Sequence, residues 1–421
     1  MRRAAPLLLL LLLSQCLTGA AARGPGPAAG AHAVTWDLEF DYLSWVADAA
    51  LLKWGQAALG AERYMDEEDQ SQLVRDTMAL VQDIRDSEGK LSVLHANPSP
   101  ASVAAEIDDL NAHLDELYRR RSLVAPLAES ILQTQISAVL ADQGFTAWGQ
   151  PLPPLLFHST PLPWALIASP RERIAQVANI SLRTELTLED HIAVEDEVAE
   201  RQNLSTLVVP VGGIGVYPTM VAQSSSLPWL IEVASHEWGH NYLALRPLGF
   251  LYYENQGLTT MNETTANIVG KEMGAAVIAR FYPELAPPPP APVSAPTPSA
   301  PEEKPTISAP VFDFRAEMHA TRVHVDALLA EGRVEEAEAY MEAQRLIFWD
   351  HGYAIRKLNQ AYFAFYGSYA DVPVGPAGED PVGAAVRELR AQSSSLAEFV
   401  NRMAGLTSFD ALQKLLREIA K

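Results

Sequence analysis

The chain has almost no cysteine. Cys16 is the one cysteine among 421 residues, and it lies in an N-terminal segment with the pattern of an export signal. If that segment is removed, the processed chain has no thiol, which excludes disulfide bonds and thiolate metal ligands. An exported protein of this size that uses no disulfides is more typical of bacteria than of eukaryotes.

Basic residues are also scarce. The sequence has 31 lysines and arginines against 52 aspartates and glutamates, a net charge of −21. Loss of Arg2 and Arg3 with the N-terminal segment would remove two positive charges and leave −23. So much negative charge argues against binding to nucleic acids or to anionic membranes. It leaves a peptide or protein as a compatible partner and does not indicate an oligomeric state.

Long apolar runs are confined to the N-terminus. Arg2 and Arg3 precede seven leucines at 7–13, and small residues follow up to Ala22. This pattern predicts a secretory signal peptide over residues 1–22, too short to span a bilayer. We therefore expect an exported protein without a transmembrane span, located in the bacterial periplasm, at the cell surface or outside the cell. A lipid anchor at Cys16 is the less favoured alternative, since glutamine precedes it where lipidation signals have a very small residue.

The spacing of apolar residues divides the chain into regions. A period of three to four predicts a helical N-terminal region over residues 23–150. Residues 151–285 begin with short, partly alternating segments typical of strands and continue with helices. Residues 286–310 are a proline-rich loop or linker, and 311–421 are again helical. The predicted fold class is α+β, predominantly α-helical, with a small mixed sheet.

The sequence HEWGH places two histidines and a glutamate on one predicted helix, which starts near Leu227. His236 and His240 lie one turn apart on the same face, so both rings can direct a nitrogen at one metal ion. Glu237 would border the ion and accept a proton from a water that the ion activates. The alternative is a buried pair of histidines satisfied by ordinary hydrogen bonds.

A third ligand is needed for a site that activates water. Two carboxylates follow the motif, Glu254 in a predicted loop and Glu263 at the predicted start of the next helix, around 260–263. Glu263 also has a structural interpretation, because Thr260 and Glu263 have the spacing of a capping box. A metzincin site is excluded, because that class requires glycine at position 243 and histidine at position 246. This chain has Leu243 and Arg246 there.

The HExxH motif, followed after a loop by an Asn-Glu pair on a helix, resembles the gluzincins, the thermolysin-like and aminopeptidase-like zinc peptidases. The resemblance implies a zincin-like catalytic region in which His236, His240 and Glu263 bind Zn²⁺ and Glu237 is the general base. In the thermolysin-type pattern, an aspartate four positions after the ligand glutamate orients a ligand histidine. Asn267 stands there, so a neutral amide is implied.

The family also uses an edge strand before the zinc helix to bind substrate by strand addition. The segment 205–221 has the right composition and position, and Gly212 and Gly213 would let a substrate backbone approach. Glycines in a plain turn are the alternative. The acidic motif with which aminopeptidases hold a free amine is missing, so exopeptidase specificity is not supported.

A donor for the oxyanion is expected further along the chain. The predicted helix KLNQAYFAFYGSYAD faintly resembles a run that ends in Ala-Thr-Tyr in a family of predicted bacterial zinc aminopeptidases, which places Tyr369 at the tyrosine position. Aromatic residues of a helix core are the alternative, and Tyr252, Tyr253 and His351 are further candidates. Because this helix follows the proline-rich stretch, we interpret that stretch as a loop within one catalytic region.

The sequence thus predicts an exported, zinc-dependent metallopeptidase that hydrolyses peptide bonds. The alternative is a non-catalytic binding or scaffold protein of the cell envelope with a retained or degenerate zinc site. The two hypotheses differ in whether the chain turns over a peptide.

Overall fold

The computed structural model describes residues 27–95, 100–147, 149–286, 312–367 and 381–419. The predicted signal peptide, nearly all of the proline-rich stretch, and Tyr369 lie outside the described residues. The described part is α+β and predominantly helical, as the sequence predicts.

Fourteen α-helices lie in the described part of the chain. In chain order they are α1 (Pro27–Thr35), α2 (Tyr42–Leu59), α3 (Glu67–His95), α4 (Pro100–Asp142), α5 (Leu188–Gln202), α6 (Leu227–Ala244), α7 (Pro247–Phe250), α8 (Gln256–Phe281), α9 (Phe314–Ala330), α10 (Val334–Asp350), α11 (Gln360–Tyr366), α12 (Pro381–Ala391), α13 (Leu396–Ala404) and α14 (Phe409–Ile419).

Eight short strands form three small sheets. They are β1 (Thr146–Ala147), β2 (Gln150–Pro151), β3 (Phe157–Thr160), β4 (Trp164–Pro170), β5 (Ala178–Leu182), β6 (Leu204–Val209), β7 (Gly213–Ile214) and β8 (Thr219–Ala222). β1 pairs with β2, and β5-β4-β6 is an antiparallel sheet. The remaining sheet, β3-β8-β7, is mixed: β8 is parallel to β3 and antiparallel to β7, which forms one edge.

The N-terminal helical region is built on two long helices, α3 and α4. Leu80 and Ile84 of α3 pack against Leu114 and Leu117 of α4 in a buried cluster. α4 begins at a proline, which has no N–H to leave unsatisfied in the first turn. The residues between these two helices, 96–99, lie outside the described residues.

The main core joins regions that are far apart in sequence. Its buried members include Ile131 of α4, Trp238 of α6, Val269 of α8 and Phe399 of α13. The Trp238 indole is completely enclosed by this core and donates a hydrogen bond to the carbonyl of Pro153 at 2.8 Å. The N-terminal and C-terminal helices therefore together hold α6, which carries the HExxH motif, and α8 in place.

α6 and α8 pack closely against each other because small residues lie where they meet. A Cβ added to Gly239 would lie 3.3 Å from the Cα of Ala266, and one added to Gly270 would lie 2.8 Å from the Glu232 carbonyl oxygen. Larger side chains at these positions would push the helices apart. The close approach brings the histidines of α6 within reach of a side chain of α8.

One helix among the described residues, Ala104–Asp142, is long and apolar enough to cross a membrane by length and composition. Half of its most apolar window is buried inside the protein. A single such helix is weak evidence for a membrane span, because core helices of soluble proteins pass the same test.

Candidate metal centre

Helix α6 carries the two histidines of the motif. The helix begins at Leu227, as predicted, with Pro228 in its first turn, and it ends at Ala244. The rings of His236 and His240 lie 4.7 Å apart at 80° to each other, with their Nε2 atoms separated by 3.1 Å. The spacing of four residues thus brings both Nε2 atoms to one point, as predicted.

Helix α8 begins earlier than the sequence predicts. Its first residue is Gln256, and the side chain of Asn255 caps it by accepting a hydrogen bond from the Leu258 amide at 3.0 Å. Glu263 therefore lies inside the helix, where its side chain has no helix start to cap. The capping-box interpretation of Thr260 and Glu263 is wrong, because Asn255 occupies the N-cap position.

The Glu263 carboxylate completes a group of three candidate ligands. Its Oε2 atom lies 3.7 Å from His236 Nε2 and 3.5 Å from His240 Nε2. The residue is 7% exposed, and Oε2 has no hydrogen-bond donor among the described residues. Enclosing a carboxylate oxygen that accepts no hydrogen bond is costly unless a positive charge faces it, so the position suits a cation. His236, His240 and Glu263 could together hold a metal ion.

An asparagine orients one of the imidazoles. Asn262 Oδ1 lies 2.8 Å from His240 Nδ1, and the Asn262 amide nitrogen donates to the Leu248 carbonyl oxygen at 3.4 Å. Because that carbonyl fixes the amide, Nδ1 of His240 is the donor and Nε2 keeps its lone pair for a ligand. This role was missed in the sequence, although Asn262 belongs to the Asn-Glu pair. Asn267 is half-buried on the same helix, and its predicted role stays a prediction.

Tyr252, a candidate oxyanion donor in the sequence, makes a different contact that the sequence does not reveal. Its hydroxyl donates a hydrogen bond to Glu263 Oε1, the carboxylate oxygen that does not face the histidines. The ring of Tyr252 also lies edge-on to His240, with the ring centroids 6.2 Å apart. Tyr252 precedes α8, so only the fold of the loop between the two helices brings it to Glu263.

Glu237 is buried beside the ligands with 5% of its surface exposed. Burial raises its pKa to about 7, and the negative charge of Glu263 adds to this while His240 opposes it. A Cβ added to Gly213 would lie 2.5 Å from Glu237 Oε1, and one added to Gly215 would lie 3.4 Å from Oε2. The backbone around β7 therefore lies directly against this carboxylate.

The two predicted glycines occupy different environments. Gly213 in β7 lies against Glu237, whereas a Cβ added to Gly212 would lie 3.2 Å from the ring of Trp229. β7 is an edge of its sheet and pairs with β8 through Gly213 and Ile214. The segment 205–221, predicted as one edge strand, is divided among β6, β7 and β8, and of these the two-residue edge strand β7 lies against Glu237 of the HExxH helix. The role of both glycines in binding a substrate stays a prediction.

The charges of the centre favour a cation. Burial lowers the pKa of His240, but the carboxylate of Glu263 outweighs this effect and raises the pKa to about 9. Burial likewise raises the pKa of Glu263, but the positive charge of His240 outweighs the effect of burial and lowers the pKa of Glu263 to about 2. A metal ion can replace the proton of His240 Nε2, since metal ligands must be deprotonated to bind.

The remaining predicted candidates lie elsewhere. Glu254 is exposed in the loop before α8. Of the aromatic segment that includes Tyr369, the described helix is α11, where Tyr362 and Tyr366 pack against a buried cluster of β4 and β6. Helix-core packing accounts for these two tyrosines, while the prediction for Tyr369 concerns a residue outside the described ranges.

Comparison with protein-family models, curated proteins and solved structures finds no match to this chain.

Proposed function

We propose that this protein is a zinc-dependent hydrolase of peptide bonds, with a centre of the gluzincin type. The observation that carries the proposal is the meeting of His236, His240 and Glu263, with Glu237 buried beside them. Export from the cell, predicted from residues 1–22, belongs to the same proposal.

The donor set and its spacing support zinc as the metal. The three pairs of facing ligand atoms are separated by 3.1, 3.5 and 3.7 Å. In a tetrahedral zinc site with bonds of about 2.0–2.1 Å, ligand atoms lie about 3.3–3.4 Å apart. Two imidazoles and one carboxylate are also the protein ligands of known catalytic zinc sites, which leave a fourth position for water or substrate. When bound, zinc supplies a Lewis acid that polarises a carbonyl and makes water a stronger nucleophile.

Glu237 fits the role of general base. Burial raises the pKa of Glu237, and a buried carboxylate of raised basicity is suited to accept a proton from the attacking water. It can then donate the same proton to the leaving amine. A residue bound as a ligand could not do both, and Glu237 is absent from the group of three that could hold an ion.

The edge strand supports an extended peptide as the substrate. β7 lies at the margin of the β3-β8-β7 sheet, and its Gly213 is next to Glu237. A peptide that pairs with such an edge through its backbone would pass close to the base, and recognition of the backbone is common in strand addition. This arrangement favours an internal peptide bond as the site of cleavage.

Replacement of the base tests the proposal. We expect the purified wild type to bind one zinc ion and to cleave casein or a mixed peptide library, with the products identified by mass spectrometry. Glu237→Gln should retain zinc and lose at least about 100-fold in kcat, because an amide cannot accept the proton.

Glu254→Gln, in the exposed loop before α8, is the matched control and should resemble the wild type. Zinc binding without peptide turnover by the wild type would refute the peptidase proposal and favour the binding or scaffold protein. Equal turnover by wild type and Glu237→Gln would refute the assigned base.

A further inference from the structure

A cavity away from the three candidate metal ligands has a volume of about 470 Å³. Its walls come from β4, β6, α5, α11 and the segment 354–357 that precedes α11. Trp164, Leu207 and Tyr362 give it apolar and aromatic surfaces. Its volume is within the range of small-molecule sites in proteins, about 300–1,000 Å³.

Two cations and no carboxylate line this cavity among the described residues. The cations are Arg356 and Lys357, each with a third of its side chain exposed. Both are paired with Glu195, which lies behind the wall and is 1% exposed. Arg356 Nη1 lies 2.9 Å from Glu195 Oε2, and its Nη2 donates to Oε1. Lys357 Nζ lies 3.3 Å from Oε2.

The positive charge of Arg356 and Lys357 exceeds the negative charge of Glu195. A bidentate arginine satisfies one carboxylate and neutralises its charge. Lys357 then adds a second positive charge, and its ammonium group has three donors of which the contact with Glu195 uses one. The acidic neighbours Asp190 and Asp196 are exposed on α5 and do not line the cavity, so solvent screens their charges. The wall is therefore a positive surface.

A buried histidine provides an independent indication of a ligand. His191 lines the cavity and is 5% exposed, and its Nε2 atom has no hydrogen-bond partner among the described residues. Its ring lies 4.5 Å from that of Trp164. A buried polar atom without a partner costs free energy, which a turn of the ring toward a ligand in the cavity would recover. Burial and the nearby Arg356 lower the pKa of His191, so the ring is neutral, with one nitrogen that donates a hydrogen bond and one that accepts.

We propose that this cavity binds a small molecule with a carboxylate attached to an apolar group. Lys357 and His191 would meet the carboxylate, and Trp164, Leu207 and Tyr362 would enclose the apolar part. A free fatty acid and the C-terminal residue of a peptide share this chemistry.

The site is separate from the metal centre but linked to it along the chain. Pro210 lines the cavity, and Gly213, three residues later, lies against Glu237. Three residues span at most about 11 Å. The proposal does not depend on zinc or on hydrolysis, because none of its residues is a candidate ligand.

Calorimetric titration of the full chain tests the site, both with zinc and after treatment with EDTA. The probes are N-acetylphenylalanine and octanoate, each compared with its uncharged amide. We expect at least one acid to bind about tenfold or more tightly than its amide, and equally in both preparations. Tighter binding of N-acetylphenylalanine would indicate the end of a peptide, and tighter binding of octanoate would indicate a fatty acid.

Lys357→Met keeps the length of the side chain and removes its charge, and it should weaken binding of the acid about tenfold. Lys414→Met, an exposed lysine on α14, is the matched control and should bind like the wild type. The proposal fails if neither acid binds, if the amides bind as tightly as the acids, or if both variants bind alike. Binding that requires zinc would assign the ligand to the metal centre and would also overturn it. The acid and amide comparison uses only the wild type, so it stands even if Lys357→Met misfolds.

Discussion

At Glu263, the two oxygens of one carboxylate have different partners. Oε1 accepts the hydrogen bond of Tyr252, and Oε2 faces the two histidines. The hydroxyl holds the carboxylate in one rotamer, so Oε2 is already in position before a metal ion binds. Tyr252 is thus a positioning residue for the proposed ligand.

Tyr252→Phe should lower zinc affinity about tenfold, because loss of a group that orients a ligand typically costs 10–100-fold. Competition with a fluorescent zinc chelator measures this. Tyr64→Phe, a tyrosine with 89% of its surface exposed, is the control and should match the wild type. Unchanged affinity in Tyr252→Phe would mean that the carboxylate is oriented by other contacts.

At this scale the candidate ligands could be predicted from the sequence, whereas the residues that orient those ligands could not. His236 and His240 follow from a helical period of 3.6 residues, which is a local property of the sequence. The contacts of Asn262 and Tyr252 depend on how the loop between α6 and α8 folds. An asparagine before the ligand glutamate is a signal that could have indicated the first of these contacts.

At the scale of elements, the start of α8 separates the two interpretations of Glu263. Thr260 and Glu263 fit a capping pattern locally, but Asn255 provides an earlier cap and lets the helix include both residues. The extra turn also places Asn262 and Glu263 against α6. Competing caps cannot be ranked from the sequence alone, because the packing of the first turn decides between them.

Gly213→Ala should disable hydrolysis while zinc is retained. The new methyl group would lie 2.5 Å from Glu237 Oε1, so the carboxylate or β7 must shift. We expect kcat to fall by at least about tenfold, since misplacement of a catalytic group by about 1 Å can cost 100-fold. Gly55→Ala, where nothing lies within 4 Å of the added carbon, is the control for activity and zinc content. Full activity in Gly213→Ala would contradict the close approach of β7 to the base.

At the scale of the whole molecule, the buried carboxylate of Glu129 connects the N-terminal region to the mixed sheet. Lys53 Nζ lies 2.6 Å from Glu129 Oε2, and His158 Nδ1 lies 3.0 Å from Glu129 Oε1. Burial raises the pKa of Glu129, but Lys53 and His158 outweigh it, so the pKa lies below its usual value. Burial also lowers the pKa of Lys53 despite the carboxylate, which shows the cost of enclosing the pair.

The sign of this shift predicts an acid-sensitive fold. Stabilisation by Glu129 is fully present above the pKa of the unfolded carboxyl group, about 4.3, and is lost as pH falls through the lower pKa of the folded protein. Glu129→Gln leaves Lys53 buried without a counter-charge and should reduce the free energy of unfolding at pH 7 by about 3 kcal/mol. It should also weaken the pH dependence below about 4.3.

Urea unfolding at a series of pH values measures both effects. Glu116→Gln removes an exposed carboxylate on α4 and should leave the stability and its pH dependence close to those of the wild type. Wild-type stability of Glu129→Gln at pH 7 would show that the pair contributes nothing to the fold.

Zinc should stabilise the whole protein, because a ligand that binds only the folded state shifts the unfolding equilibrium. The stabilisation is about 2.7 kcal/mol when free zinc exceeds Kd by 100-fold. We expect Tm to rise with added zinc and to fall after EDTA, as measured by scanning calorimetry. Glu263→Gln should lose most of this response, whereas Glu254→Gln should keep it. An equal response in both variants would place the zinc elsewhere.

The C-terminal helices are as much a part of the main core as the HExxH helix itself. Phe399 and Val400 of α13 are enclosed together with Trp238 and Ile231 of α6, although more than a hundred residues separate them in sequence. If the chain is expressed as two fragments, one containing α6 and the other α13, we therefore expect each fragment to be insoluble when expressed alone. When the same fragments are coexpressed, we expect them to assemble and to regain the zinc binding proposed for the intact chain.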